Sequence, residues 1–230
     1  MATVILARHG RTVANATGVL AGRTPGVGLD ETGMHQAEAA AARLRGLELA
    51  AAVTSPLERC RETARILLRG TGTKARVERG LTECDYGDWT GRPMTELVKE
   101  DLWKAVQAHP AGVRFPAGEA MAEMSARAVH AVRAWDARVT AMAGDGAVWL
   151  AVAHGDVLKS VLADALGVHL DAFQRIVVDP ASLSVVRYTP HRSYVLAMNT
   201  TEGSLAHLAQ QQEPPDQKVG GGAGPTVPTP

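Results

Sequence analysis

Arg8-His9-Gly10-Arg11-Thr12 closes an apolar run, Val4-Ile5-Leu6-Ala7. Successive side chains of a strand face opposite sides. Here both sides are apolar, which predicts a central strand of a parallel sheet covered on both faces. In open α/β sheets ligands bind just beyond the carboxyl ends of strands, so His9 and its flanking arginines stand where chemistry is expected. An imidazole can act as nucleophile or proton carrier near neutral pH, and a guanidinium matches the shape of a phosphate. Together they point to phosphoryl transfer through histidine. A second apolar run, Trp149-Leu150-Ala151-Val152-Ala153, ends in His154-Gly155-Asp156. Two strands that deliver a His-Gly pair to one sheet edge would let both imidazoles face one site. The two histidines and Asp156 could instead ligate a metal, but the neighbouring arginines would repel a divalent cation.

Two further clusters lie between the histidines. Ser55-Pro56-Leu57-Glu58-Arg59 follows a short apolar run and opens a helix. Arg59 falls near its first turn, where free N–H groups already favour anions. The alternative is a solvated helix face on which Glu58 and Glu62 pair with neighbouring arginines. The second cluster, Glu83-Cys84-Asp85-Tyr86-Gly87-Asp88-Trp89, is rich in turns, carboxylates and aromatics. A carboxyl group of raised pKa could protonate a leaving alkoxide. Spacing alone does not select which carboxylate would do so, and an acidic surface loop is the competing reading.

These residues need a frame. Strands are expected at Thr3–Arg8, 51–54, 147–153, Leu183–Tyr188 and 194–198, and helices over 31–44, 56–68, 121–142 and 157–166. The 56–68 helix would carry Pro56 at its first position, where the missing N–H costs nothing. A glycine-rich loop spans 18–28. The alternation predicts an α/β, three-layer sandwich: a mostly parallel central sheet with helices on both faces. One domain over 1–208 would be followed by a Gly/Pro/Gln-rich tail, 209–230, with too few large apolar residues to fold.

Lys+Arg and Asp+Glu each number 24 among 230 residues, so the formal net charge is zero. No global field would draw in nucleic acid or an anionic membrane. No apolar run approaches the ~20 residues that span a bilayer. The N-terminus lacks a basic, then apolar, signal pattern, and a cytoplasmic location is expected. Cys60 and Cys84 lack metal-type spacing. They are expected to be reduced thiols packed as small hydrophobes.

The chain resembles the histidine phosphatase superfamily, also called the phosphoglycerate mutase-like family. The matching segments are Arg8-His9-Gly10-Arg11-Thr12 with Asn15, Leu29-Asp30-Glu31-Thr32-Gly33 with Gln36-Ala37, Ser55-Pro56 with Arg59 and Thr63-Ala64, Glu83 with Gly87-Asp88-Trp89, Pro116-Ala117-Gly118-Glu119, and His154-Gly155. They occur in the family order. The resemblance implies that His9 is the nucleophile that accepts the phosphoryl group. It implies that Arg8, Arg59 and His154 complete the phosphate pocket, with Asn15 as a further phosphate contact. Glu83 would be the proton donor to the leaving oxygen and then the base that activates water. No metal or other cofactor is implied, and the expected partner is a small phosphorylated metabolite. Departures are Thr90, where the family often has glutamate, and Ala120, where it often has serine. The glycolytic mutases of the family carry a longer, arginine-rich insertion at 95–115. This chain has only Lys99, Lys104 and Arg114 there, which favours a phosphatase over a mutase. The last strand could pair across a homodimer.

Overall fold

The computed structural model describes residues 1–205 and 208; the expected tail, 209–230, lies outside the described residues. Six strands form one sheet: β1 (Thr3–Arg8), β2 (Leu49–Thr54), β3 (Ala75–Val77), β4 (Val148–Ala153), β5 (Leu183–Tyr188) and β6 (Ser193–Thr200). Their order is β3-β2-β4-β1-β5-β6. The first four strands in that order run parallel, whereas β5 and β6 are antiparallel to their neighbours.

The two-sided apolar pattern of β1 is explained by its neighbours. Val4 and Leu6 enter one core with Trp149, Ala151 and Ala153 of β4. Ile5 and Ala7 enter the other with Leu150 and Val152. Helices α6 (Met121–Ala143) and α7 (Gly155–Leu166) cover the first face, and α2 (Glu31–Arg43) and α3 (Glu58–Leu67) the second. Strands β1 and β4 therefore bury both parities of side chain, the signature of a sheet between two helical layers. Among the described residues, no helix is long and apolar enough to cross a membrane.

Two helix starts and several short elements differ from the sequence expectation. Helix α3 begins at Glu58, with Leu57 extended as its N-cap and no side-chain cap. Pro56 precedes the helix rather than opening it, and the Ser55 hydroxyl accepts from the Leu57 N–H at 3.4 Å while lying 2.7 Å from His154 Nε2. Helix α7 begins at Gly155, directly after the strand end, with His154 itself as the N-cap. The short strand β3 was not anticipated. Its residues are half-buried or exposed, so no apolar pattern marks it. Two short helices, α4 (Met94–Leu97) and α5 (Asp101–Ala108), lie between β3 and α6, where no element was assigned from the sequence. A one-turn helix, α1 (Val13–Ala16), follows the His9 loop.

Candidate active site

The topology places both histidines. Parallel strands β1 and β4 are neighbours, with Arg8 opposite Ala153, so the next residues emerge side by side. The His9 and His154 rings lie 5.3 Å apart, inclined at 62°. Strand β2, on the other side of β4, ends at Thr54 opposite Val152 and delivers Ser55 to the same edge. Both imidazoles are buried.

His9 Nδ1 is 2.7 Å from the Gly10 carbonyl oxygen. A carbonyl only accepts, so Nδ1 carries the hydrogen and Nε2 keeps a free lone pair. Burial first, then the charges of Arg59 and Arg8, hold His9 well below the ordinary imidazole range. His154 is held down by burial and by Arg59, His9 and Arg8. Both rings are therefore neutral at neutral pH.

The loop after β1 is fixed by close backbone packing. The Gly10 N–H donates to Thr63 Oγ1 at 3.1 Å, and that hydroxyl donates to the Arg59 carbonyl at 2.7 Å. A Cβ on Gly10 would stand 2.4 Å from the Gly33 carbonyl oxygen, and one on Gly33 would stand 2.0 Å from that of Arg11. Only glycine at both positions lets the loop cross the first turn of α2. Arg11 fastens the same crossing, donating to Asp30 at 2.8 Å and to Thr32 at 2.7 Å.

Arg59 is buried on the first turn of α3, and its Nη2 donates to the Gly22 carbonyl at 2.8 Å. Arg8 Nη1 donates to the Val178 carbonyl at 2.7 Å. Arg59 Nη1 and Arg8 Nε are buried without a hydrogen-bond partner. An unpaired buried donor costs about 1–3 kcal/mol, more when charged. Two such guanidinium donors beside two neutral imidazoles make a pocket suited to a compact oxyanion.

Glu83 faces the same pocket. Its Oε1 accepts from the Cys84 N–H at 3.0 Å, and Oε2 lies 3.8 Å from His154 Nδ1. With the imidazole neutral, that approach is not an ion pair. Burial, then the charge of Asp156, pushes the Glu83 carboxyl up to about 7, against the opposing pull of Arg59 and Arg8. It can therefore hold or release a proton near neutrality.

Two groups that sequence reasoning missed position these residues. Arg127 of α6 donates to the carbonyls of Gly80 (2.8 Å), Thr82 (2.7 Å) and Glu83 (3.1 Å), and to both carboxylate oxygens of Glu119 (2.6 and 2.9 Å). It clamps the loop that carries Glu83. One arginine in a long helix gives no local sequence signal, although its partner Glu119 ends the family-like segment Pro116-Ala117-Gly118-Glu119. Ser55 Oγ is 2.7 Å from His154 Nε2, a contact between strand ends that only the sheet order reveals.

Arg8, His9, Arg59, Glu83 and His154 thus converge at one sheet edge. Asn15 is exposed, and its side-chain oxygen accepts from Thr12 N (3.1 Å) and Thr12 Oγ1 (3.0 Å), closing a capping box on α1. Cys60 and Cys84 are free, buried thiols, and burial pushes both pKa values up. Asp156 is engaged by the Tyr86 hydroxyl, which donates at 2.8 Å. Among the described residues, no group of three or more His, Cys, Asp or Glu is arranged to hold a metal ion.

Known proteins share this architecture. The structure of Bacillus stearothermophilus YhfR is similar, with a TM-score of 0.79, 27% identity and coverage of 90% of this chain and 100% of that one. The α-ribazole phosphatase from Shigella flexneri gives a TM-score of 0.73 at 25% identity, covering 86% of this chain and 96% of the other. The "Probable phosphoglycerate mutase GpmB" of Yersinia enterocolitica is 33% identical over 190 residues, 82% of this chain and 86% of the relative. The family model described as histidine phosphatase superfamily (branch 1) matches residues 4–201. With both histidines, both arginines and a buried carboxyl at one sheet edge, the chain belongs to the histidine phosphatase superfamily.

Proposed function

We propose that this protein is a phosphomonoester hydrolase that acts on a small phosphorylated metabolite through a phosphohistidine at His9, without a metal. One observation carries the reading. The unpartnered buried donors Arg8 Nε and Arg59 Nη1 flank an imidazole whose Nδ1 is committed to the Gly10 carbonyl. The oxyanion pocket and the free Nε2 lone pair then belong to one site.

In the first step His9 Nε2 attacks phosphorus and the ester P–O bond breaks. The leaving alkoxide takes the proton of Glu83. In the second step the Glu83 carboxylate removes a proton from water, the new P–O bond forms and the N–P bond breaks. Inorganic phosphate leaves and Glu83 is protonated again. Arg8, Arg59 and His154 neutralise charge on the equatorial oxygens, where positioning and electrostatics do most of the work. Covalent catalysis divides one difficult displacement into two.

The mutase reading has support in the name of the GpmB relatives. The wall over 94–115 favours hydrolysis. Leu97, Val106 and Phe115 are buried there, and Trp103 stacks on Trp89 at 6.2 Å. Lys104 pairs with Asp101, and Arg114 pairs with Glu123. These cations are already engaged within the protein.

The test is a quench experiment with labelled phosphomonoester in chelator-treated buffer. An acid-labile phosphoenzyme is expected, together with release of inorganic phosphate rather than an isomer. His9→Ala should abolish both, a loss of at least ~10³ in rate, since uncatalysed phosphate-ester hydrolysis is extremely slow. Turnover retained in His9→Ala would remove His9 as the nucleophile. An isomer as main product would establish the mutase.

A further inference from the structure

The leaving-group side of the pocket carries a second carboxylate. Asp156 follows His154 by two residues, on the first turn of α7, and its side chain is 25% exposed. Tyr86, three residues after Glu83, donates its hydroxyl to Asp156 Oδ2 at 2.8 Å. Asp156 is thereby held between the Glu83 loop and the end of β4, the side from which the Glu83 proton is delivered. Among the described residues, Lys159 Nζ pairs with its Oδ1 at 3.9 Å, beyond hydrogen-bond range. That ammonium donates instead to Gln174 at 3.0 Å and lies over the Phe173 ring.

The other cations bonded to this segment are committed. Arg23 donates to the Glu83 carbonyl at 2.8 Å, to Asp85 at 3.3 Å and to Glu119 at 3.1 Å. Arg127 is saturated by Glu119 and three carbonyls. The free positive donors, Arg8 Nε and Arg59 Nη1, are those that suit the phosphoryl oxygens. A second anionic group on the substrate would meet a fixed carboxylate, and the nearest cation, Lys159, already faces that carboxylate at 3.9 Å and is bonded to Gln174. A hydroxyl, by contrast, could donate to Asp156 Oδ1.

We infer that Asp156 is a specificity-determining residue that selects phosphomonoesters of uncharged, hydroxyl-bearing alcohols and rejects those bearing a carboxylate. This rests on the proposed phosphatase chemistry and adds the class of leaving group. The physical origin is repulsion between like charges in a partly desolvated site.

A matched pair tests it. Glycerol 3-phosphate and 3-phosphoglycerate differ only in a hydroxymethyl group against a carboxylate. The wild-type enzyme should favour glycerol 3-phosphate in kcat/KM by at least about tenfold, equivalent to ~1.4 kcal/mol. Asp156→Asn should move that ratio toward one. A purely structural role for Asp156 would depress both substrates alike and leave the ratio in place. Equal or better use of 3-phosphoglycerate by the wild type, or an unchanged ratio in Asp156→Asn, would overturn the inference. Turnover of p-nitrophenyl phosphate through phosphohistidine, with neither glycerol compound hydrolysed, would overturn it while leaving the phosphatase standing. Loss of that turnover and of the phosphoenzyme would remove the phosphatase reading, and the inference with it. Should Asp156→Asn fail to fold, the wild-type ratio must shrink as salt is raised, because exposed charges are screened. A salt-independent ratio would then decide against the inference.

Discussion

At the scale of single residues, Glu83 shows what burial adds to sequence. Residue types alone marked Glu83, Asp85 and Asp88 as equivalent carboxylates, and only resemblance to a family selected the first. The structure separates them physically. Asp88 is exposed and Asp85 is bonded to Arg23, while Glu83 is buried beside His154. Burial and Asp156 raise its pKa to about 7, which suits a group that must give a proton and then take one. A proton donor matters only when the leaving group needs one. Glu83→Gln should therefore slow alkyl phosphates by ~10²–10⁴ and aryl phosphates far less. The wild-type kcat/KM for alkyl phosphates should fall as pH rises through about 7, where Glu83 loses its proton. His9 is already neutral across that range, so the fall belongs to Glu83 and should be missing in Glu83→Gln. Equal losses on both substrate types would assign the proton to another group.

At the scale of elements, the legible parts were those with a strong apolar pattern. Strands β1 and β4 and helices α2 and α6 stand close to where periodicity placed them, because their buried faces recur along the sequence. Strand β3, three residues with little burial, has no such pattern and was missed. Helix α3 starts two residues after Pro56, because proline signals a helix opening only locally and Leu57 here stays extended as the N-cap. Packing between elements also reverses a local rule. Gly33 lies in the first turn of α2, where glycine-to-alanine ordinarily stabilises a helix by up to ~1 kcal/mol. Here the added methyl would sit 2.0 Å from the Arg11 carbonyl oxygen. Gly33→Ala should instead destabilise the protein by ~1–3 kcal/mol, an overpacking cost, read as a lower denaturant midpoint. It should also reduce phosphoenzyme formation, since the displaced backbone adjoins Gly10, whose carbonyl sets the His9 tautomer. A neutral or stabilising effect would mean that the crossing can open without cost.

At the scale of the whole molecule, the sheet order brings together residues that are distant in sequence. Neighbours β2, β4 and β1 are followed by Ser55, His154 and His9 at one edge, and α7 starts within a residue of that edge. Sequence supplied the histidine-bearing strand ends, but not that β4 lies between β1 and β2. The same convergence buries three titratable groups whose proton affinities differ between folded and unfolded chains, so the site should leave a signature in global stability. Glu83 has a folded pKa raised from 4.5 to about 7. Its contribution is fully present below the unfolded value and is lost as pH rises through about 7. His9 and His154 have folded pKa values lowered below 6.5. Their contribution is present above the unfolded value and is lost as pH falls. Replacing Glu83 with glutamine removes the first dependence and leaves the second. Relative to wild type, Glu83→Gln should gain stability on going from pH 5 to pH 8, by on the order of 1–3 kcal/mol. Urea unfolding of both proteins at the two pH values measures that change. The difference between them should open on the alkaline side, where the wild type must hold a buried carboxylate charged. A difference that stays constant with pH would show that Glu83 titrates in the folded protein as it does in the unfolded chain.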